Sequence, residues 1–512
     1  MSATVASLGV LDEGRLIGPA LDPDAEISAI VSDSRKTVAG SLFVAVKGTA
    51  VDGAEFIQYA ARMDARAALT TLEGAMTAFE TMGGMPDLPI IIVDDPRASL
   101  SRLAARWHGK QPAKIAAITG TSGKTSVADF LRQLWTALGR NAASLGTLGI
   151  ASPAVNIPGG LTTPDPLALH EALAKLAAAG TDRLAMEASS HGLDQRRLDG
   201  IRPSAVALTN IARDHMDYHP TAAHYASAKL RLFAELAEDS ATAVVNSDDA
   251  VFPMVQSIAA ARGLTLLPIG EGPESENGLR IRQTRFEASG QVVTVAWQGA
   301  EHHIALPLIG AFQARNVLTA AGLAIGCGED PAAVLAALPS LLGVRGRMEK
   351  VAERESGAPI FVDYAHKPDA MVAALTGLRP HVEGRLHVVF GAGGDRDPGK
   401  RILMGQAAAE HADVVTVTDD NPRSEDPATI RRAILEGAPQ ASEIADRAEA
   451  IISAIDALDA RDALLIAGKG HETGQIVDGD VLPFDDAQQA KVAVMALDGD
   501  DDNLGDMLKD LM

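Results

Sequence analysis

The segment that most restricts this chain reads AKIAAIT, then GTSGKTS, then VADFLRQLWTALG, from Ala113 to Gly139. A short apolar run ends in glycine, and an apolar pattern with helical spacing begins at the lysine. That order predicts a buried strand, a tight loop and a helix. Glycines let the backbone wrap closely around an anion. The helix start adds unpaired N–H donors and the positive end of the dipole. Gly120, Thr121, Ser122, Gly123, Lys124, Thr125 and Ser126 therefore form a candidate phosphate loop. Lys124 can reach the outer phosphates, and the Thr125 hydroxyl can join a magnesium shell. The spacing is the short GTxGK[ST] form, because Ile118 stands where GxxxxGK[ST] has its first glycine. The loop points to a nucleoside triphosphate. It leaves open whether the phosphoryl group goes to water, a hydroxyl or a carboxylate.

A strand–loop–helix unit belongs in a parallel sheet covered by helices. The chain has 512 residues, room for about three domains at roughly 150 residues each. Residues 1–110 alternate short apolar runs with Gly and Ser turns, which suggests strands and hairpins with a helix near EFIQYAARM. Residues 111–344 carry the loop and further strands at RLAMEAS, AVALTN and TAVVNS. Residues 345–497 repeat the alternation, with strand ends at PIFVDYA, LHVVFGAGG, DVVTVTDD and ALLIAGKG. The expected fold class is α/β in three domains, a central P-loop sheet followed by a Rossmann-like C-terminal unit. In such sheets ligands sit beyond the carboxyl ends of the strands. Residues 498–512 form an acidic tail with a short helical pattern at Leu504, Met507, Leu508 and Leu511.

Lys and Arg number 45 against 67 Asp and Glu, a net charge of −22. That sign repels phosphate polymers, so non-specific nucleic-acid binding is not expected. The single Cys327 excludes an internal disulfide and thiol-rich zinc sites. No apolar run approaches the ~20 residues of a membrane span. With no basic-then-apolar leader, the expectation is a cytoplasmic protein.

Further segments recur in a fixed order: DSRKTVAGSLFVAVKG from Asp33, TTPDP at Thr162–Pro166, MEASSHGLDQRR from Met186, TNIARDHMDYH from Thr209, and ASAKLRLF around Lys229. GVRGRME, VDYAHKPDA, FGAGGDRDPGKR, DNPR at Asp420–Arg423 and AGKGHE follow. In this order, over nearly the whole chain, they resemble the Mur ligases of peptidoglycan synthesis. The resemblance is greatest to members that add meso-2,6-diaminopimelate to UDP-N-acetylmuramoyl-L-alanyl-D-glutamate. It implies an ATP-dependent amide ligase. ATP phosphorylates the terminal carboxylate, and the incoming amine displaces phosphate from the acyl phosphate. A carboxylate is a poor electrophile, and two anions must meet, so cations are needed around the reacting groups.

The resemblance also assigns residues. Lys124, Glu187, His215 and Lys229 are the implied catalytic set. Thr125, Glu187, His215 and Lys229 are implied around magnesium, Lys229 as its carbamate (N6-carboxylysine). Asn316, Arg347 and Asp363 match nucleotide contacts, on the adenine, phosphate and ribose sides. Here the usual Asn-x-x-Asn reads Gln313-Ala-Arg-Asn316, and Lys367 stands where Thr is frequent. Ser32, Ser34, Thr49, Ala50 and Val51 match the uridine side of the first substrate. Thr162, Thr163, Ser189, Gln195 and Arg197 match its muramoyl dipeptide. For each hydroxyl, turn or cap chemistry is the competing role.

Asp420, Asn421, Pro422 and Arg423 match the diaminopimelate site, with Arg396, Gly468 and Glu472. Arginine binds a carboxylate bidentately. Arg423 and Arg396 would clamp the distal carboxylate that lysine lacks, and Glu472 would receive the distal ammonium. Asp-Asn-Pro also favours a plain turn. Other readings are weaker. A dinucleotide fingerprint at FGAGGDRD fails because its third glycine position is Arg396. A folylpolyglutamate synthase relative shares the acyl-phosphate logic but is opposed by DSRK and DNPR. A nucleotide-gated scaffold is opposed by retention of Lys124, Glu187, His215 and Lys229.

Overall fold

The computed structural model describes residues 3–48, 51–84, 87–272 and 277–499. Thr49, Ala50 and the tail from residue 500 onward lie outside these.

The phosphate-loop strand, Lys114–Thr119, lies inside an 11-stranded sheet. Arg183–Glu187 and Ala205–Leu208 flank it in parallel. Outside these lie Ala142–Gly146 on one side and Thr242–Asn246, then Thr265–Gly270, on the other, all parallel. Antiparallel Gly149–Ala151 extends one margin; Leu279–Glu287 joins the other in parallel, and Gly290–Trp297 and Ala300–Leu306 follow it antiparallel. The strand reads as a continuous apolar run because both its faces are buried. Ala116 and Ile118 join a core with Phe130, Leu131, Leu134 and Trp135 of the loop helix. Ile115 and Ala117 join the opposite core with Leu169, Leu173 and Leu176.

Residues 349–467 form a 6-stranded sheet. Pro359–Asp363, Ala463–Ala467, Leu386–Phe390 and Val414–Val417 lie side by side in parallel, so the four strand ends read from the sequence point one way. The helix Asp486–Asp498 completes the packing.

The N-terminal region departs from the expected hairpins. Ile30–Val31, Leu42–Val44, Ala67–Thr70 and Ile90–Ile92 pair in parallel, and only Arg15–Ile17 joins this sheet antiparallel. The cause lies in the connections. Parallel neighbours need a crossover, supplied by the turn Ser34–Lys36 and the helices Ile57–Arg62 and Leu72–Met82.

The N-terminal and central regions meet where helix Pro96–His108 packs on helix Pro166–Ala178. Ser101 Oγ donates to the Arg197 carbonyl at 3.0 Å and accepts from Gly200 N–H at 3.1 Å. His170 is 2 % exposed at this seam, and its Nε2 has no hydrogen-bond partner. Burial pushes its imidazole down to about 4 from 6.5. Between those values the unfolded chain binds the proton and the native one does not, so stability falls as pH falls through this window. The loss at pH 5 should be about 2 kcal/mol. His170→Phe removes the titrating group, and denaturant unfolding of both proteins at pH 7 and pH 5 checks it. The variant should lose less stability between the two pH values by about that amount.

Candidate active site

The loop is shaped by its glycines. Gly120 has φ +143°, and a Cβ there would lie 1.9 Å from Thr209 Oγ1. Gly123 has φ +87°, and a Cβ would meet Asn316 Oδ1 at 2.6 Å. Both the left-handed backbone and the close approach require glycine. The segment after strand Ala205–Leu208 buttresses the loop. Thr209 Oγ1 donates to Ser122 O at 2.6 Å, and Asn210 Oδ1 accepts from Ser122 N–H at 3.1 Å. The sequence alone does not mark Thr209 and Asn210 as site residues, although they open the TNIARD segment. Asn316 is held against the loop by Gln313, whose Oε1 accepts from Asn316 Nδ2 at 2.9 Å. The longer side chain at 313 thus supports its neighbour.

Lys124 Nζ donates to the carbonyls of Gly120 and Thr121 at 2.9 and 3.0 Å. Burial pulls its ammonium down to about 8, against the opposing pull of Glu187. Lys229 Nζ donates to the same Gly120 carbonyl at 2.7 Å and lies 4.5 Å over the Tyr225 ring. It is 1 % exposed. Burial, and then Lys124, hold it well below the usual lysine range. Among the described residues no carboxylate lies within ion-pair distance of it.

Glu187 ends the strand beside the loop strand and is 1 % exposed. It accepts from Thr125 Oγ1 at 3.1 Å, Thr147 N–H at 2.8 Å and Thr147 Oγ1 at 3.2 Å. Thr162 Oγ1 lies 3.0 Å from Thr147 Oγ1. Every one of these partners is neutral, and no cation pairs with Glu187 among the described residues. A buried carboxylate in that state is where a hard cation fits. No group of three or more His, Cys, Asp or Glu side chains in metal-holding geometry occurs among the described residues. The donor set suits magnesium, which takes few protein ligands and shares its shell with phosphates and water.

His215 has φ +53°. Burial pushes its imidazole down to about 4, so a ring nitrogen lone pair is available at neutral pH. Asp214 Oδ1 accepts from His215 N–H at 2.8 Å, and Oδ2 lies 3.3 Å from His215 Nε2. Arg196, Met348, Asp395 and Arg423 also have positive φ. Such strained positions cluster at functional sites.

The residues matched to the dipeptide form one network. Thr163 Oγ1 donates to Glu187 O at 3.1 Å and accepts from Ser189 N–H at 3.0 Å. Ser189 Oγ caps the next helix through Gly192 N–H. Arg197 donates to Thr163 O at 2.6 Å and to Gln195 Oε1 at 2.7 Å, and Gln195 Nε2 reaches Tyr218 Oη at 3.2 Å. His191, whose ring centroid is 4.7 Å from that of His215, and Tyr218 were not singled out in the sequence. Ser32, Ser34 and Val51 follow the carboxyl ends of two parallel strands, Ile30–Val31 and Leu42–Val44. Gly48 N–H donates to Val51 O at 2.9 Å.

The C-terminal region reaches the loop directly. Arg347 Nη2 donates to Thr125 Oγ1 at 3.3 Å, and its guanidinium lies 4.5 Å from the Tyr364 ring centroid. Asp363 Oδ2 accepts from Met348 N–H at 2.7 Å, and burial raises the carboxyl to about 6. At the other strand ends, Asn421 Nδ2 donates to Glu472 Oε2 at 2.9 Å. Lys469, fully buried, donates to Asn421 Oδ1 at 3.0 Å and lies 3.6 Å from Glu472. Gly468 lets Asp420 approach, since a Cβ there would meet Asp420 Oδ2 at 2.6 Å. Pro422 O and Arg423 close the DNPR turn on Gly394; Arg423 Nη1 donates to Gly394 O at 2.7 Å. Arg396 is exposed, and no hydrogen bond or ion pair joins it to the others among the described residues. Its neighbour Asp395 accepts from Ser424 Oγ at 2.7 Å, which fastens its loop to the turn.

Three family descriptions match in chain order: "Mur ligase family, catalytic domain" over residues 26–108, "Mur ligase middle domain" over 118–324 and "Mur ligase, glutamate ligase domain" over 346–470. A Bradyrhizobium diazoefficiens protein named UDP-N-acetylmuramoyl-L-alanyl-D-glutamate--2,6-diaminopimelate ligase is 52% identical, over 92% of this chain and 95% of its own. A Zymomonas mobilis protein of the same name is 45% identical over 97% and 100%. A solved structure carrying that name superposes with a TM-score of 0.71 at 31% identity, covering 97% of this chain and 99% of the other. A Mycobacterium tuberculosis folylpolyglutamate synthase shares the fold, with a TM-score of 0.60 at 21% identity. Three domain matches spanning the phosphate loop, the Glu187 strand and the DNPR turn leave one conclusion: the chain belongs to the Mur ligase family.

Proposed function

We propose that this protein is the ATP-dependent ligase that joins meso-2,6-diaminopimelate to the D-glutamate carboxyl of UDP-N-acetylmuramoyl-L-alanyl-D-glutamate, a step in making peptidoglycan precursors. What carries this reading is 52% and 45% identity, over 92% and 97% of this chain, to relatives named for that activity. A reaction that consumes ATP and a nucleotide-linked substrate fits a cytoplasmic location. No helix of the described residues is long and apolar enough to cross a membrane.

The chemistry follows from the chain's own groups. The phosphate loop and Lys124 hold the triphosphate, and Arg347 joins them from the C-terminal domain. Asn316 and Asp363 serve the adenine and ribose sides. Thr162, Thr163, Ser189, Gln195 and Arg197 hold the dipeptide so that its terminal carboxylate faces the outer phosphate. Ser32, Ser34 and Val51 would serve the uridine side; Thr49 and Ala50, matched to the same side, lie outside the described residues. The carboxylate oxygen attacks phosphorus, ADP leaves, and an acyl phosphate results. The amine then attacks the acyl carbon and loses a proton, and inorganic phosphate departs. Thr125, Glu187, His215 and carbamylated Lys229 would hold magnesium, which supplies charge neutralisation for the meeting anions. Asp420, Asn421, Pro422, Arg423, Arg396, Gly468 and Glu472 orient the diaminopimelate. Glu472 already accepts from Asn421 and lies near Lys469, so an incoming ammonium would share it.

The test is phosphate release from ATP with and without the muramoyl dipeptide, and with diaminopimelate or lysine as amine. Tripeptide nucleotide should form, by mass spectrometry, only when all three reactants are present. Phosphate release that ignores the dipeptide would sink the assignment.

A further inference from the structure

Lys367 sits in a place that local physics disfavours. It is the N-cap residue of helix Pro368–Leu378, and no side chain caps that helix. Good caps carry an acceptor oxygen; lysine has none, and its ammonium stands at the positive end of the dipole. A residue that breaks a local rule invites a search for what it does elsewhere.

Its side chain leaves its own domain. Lys367 Nζ donates to Asp214 Oδ2 at 2.6 Å, across 153 residues of sequence. The Asp214 side chain is only 8 % exposed. The same carboxylate holds His215 twice, through the backbone N–H at 2.8 Å and near ring Nε2 at 3.3 Å. His215 adopts φ +53°, a backbone state that persists only where surroundings enforce it. On its own side Lys367 is anchored. His366 Nδ1 donates to Tyr364 O at 2.7 Å, and Lys400 Nζ donates to His366 O at 3.1 Å. A continuous chain of contacts therefore runs from the C-terminal domain through Lys367 and Asp214 to His215.

We propose that Lys367 is a positioning residue for the ligation: its ion pair with Asp214 latches the C-terminal domain against the phosphate loop and fixes His215 in its strained conformation. The inference rests on the ligase reading. Arg347 makes the other cross-domain contact at the loop, but to the neutral hydroxyl of Thr125. Lys367 supplies the charged one. The helix gives up its cap so that closing the amine-bearing domain and setting His215 become one event.

Lys367→Thr separates this role from a structural one, because threonine can cap the helix while the cross-domain pair is lost. We expect an unchanged or higher melting temperature, a kcat lower by about 100-fold, and a KM for ATP changed far less. Lys367→Arg, which keeps the pair, should recover most of the turnover. Asp214→Asn should cost less when added to Lys367→Thr than when made in the unaltered enzyme, since the ion pair is then already lost. Fluorophores on the central and C-terminal domains should report a longer mean distance in Lys367→Thr. Wild-type turnover in Lys367→Thr overturns the proposal. So does a fall in melting temperature that accompanies the fall in kcat and is shared by Lys367→Arg. If the unaltered enzyme forms no tripeptide nucleotide, the ligase reading fails instead. The fluorophore distance still decides the latch, and an unchanged distance in Lys367→Thr removes it.

Discussion

Arg423→Ala should lower kcat/KM for diaminopimelate by roughly 10³- to 10⁴-fold while leaving ATP affinity within about two-fold. The backbone holds this arginine from both sides. Its N–H donates to Ile476 O at 3.0 Å, and its carbonyl accepts from Asp478 N–H at 2.7 Å. Its φ is +54°. One guanidinium N–H is fixed on Gly394 O, and a Cβ on Gly393 would lie 2.8 Å from Nη1. The fork is thus aimed before substrate arrives, so little rotamer freedom remains to be lost on binding. A carboxylate can take two of its remaining N–H donors. Lysine would leave the same donors desolvated and unpaired, which is how a site built for a polar group rejects an analogue without it. Unaltered enzyme should therefore prefer diaminopimelate over lysine by about 10⁴-fold in kcat/KM, and Arg423→Ala should collapse that ratio. Arg423→Lys should recover only part, because a point charge cannot bind bidentately. Parallel kcat/KM measurements with both amines decide it. A ratio that survives Arg423→Ala would move specificity to Arg396 or elsewhere.

What could be read before the structure was local in origin. The phosphate loop was legible because glycines, lysine and helix start fall within a few residues of a buried strand. The strand ends of the C-terminal domain were legible for a similar reason, each being an apolar run closed by Gly or Asp. The N-terminal strands were misjudged as hairpins because pairing direction depends on what the connections do, and the turn at Ser34–Lys36 has no strong periodicity. Contacts across long separations left no local trace. Nothing near Lys367 names Asp214. Arg447 is a sharper case. It begins a helix and reads as a solvated charge, yet it is buried in a bidentate pair with Asp486 at 2.7 Å. It also donates to Ala467 O at 3.0 Å and Asp419 O at 3.3 Å. Those carbonyls immediately precede Gly468 and Asp420, so one hidden cation ties together the two strand ends that carry them. Its function is visible only once the sheet has brought residues 419, 447, 467 and 486 together.

The sign of the charge at position 229 carries the other large effect. As an ammonium, Lys229 would lie beside Lys124, buried and, among the described residues, without a carboxylate partner, at a site that must also take a metal cation. Burial drives it toward the neutral amine, and a neutral amine is the form that attacks carbon dioxide. Nitrogen bonds to carbon, a C=O electron pair moves to oxygen, and one proton leaves to water. A carbamate would keep an N–H able to donate to the Gly120 carbonyl, which lies 2.7 Å from Nζ. It would turn the group into an oxygen donor beside Lys124, of the kind a hard cation takes. Lys229→Ala should therefore lose about 10³-fold or more in kcat, with ATP affinity nearly unchanged. Lys229→Arg should be equally inactive, because it restores a cation and cannot carry the modification. Lys229→Glu should retain more activity than either, since it supplies a carboxylate on a shorter stem. Labelled bicarbonate should give a carbamate resonance in unaltered enzyme that is missing from Lys229→Arg. Turnover by Lys229→Arg comparable with the unaltered enzyme would show that a positive charge suffices there, and the carbamate would have no part in the reaction.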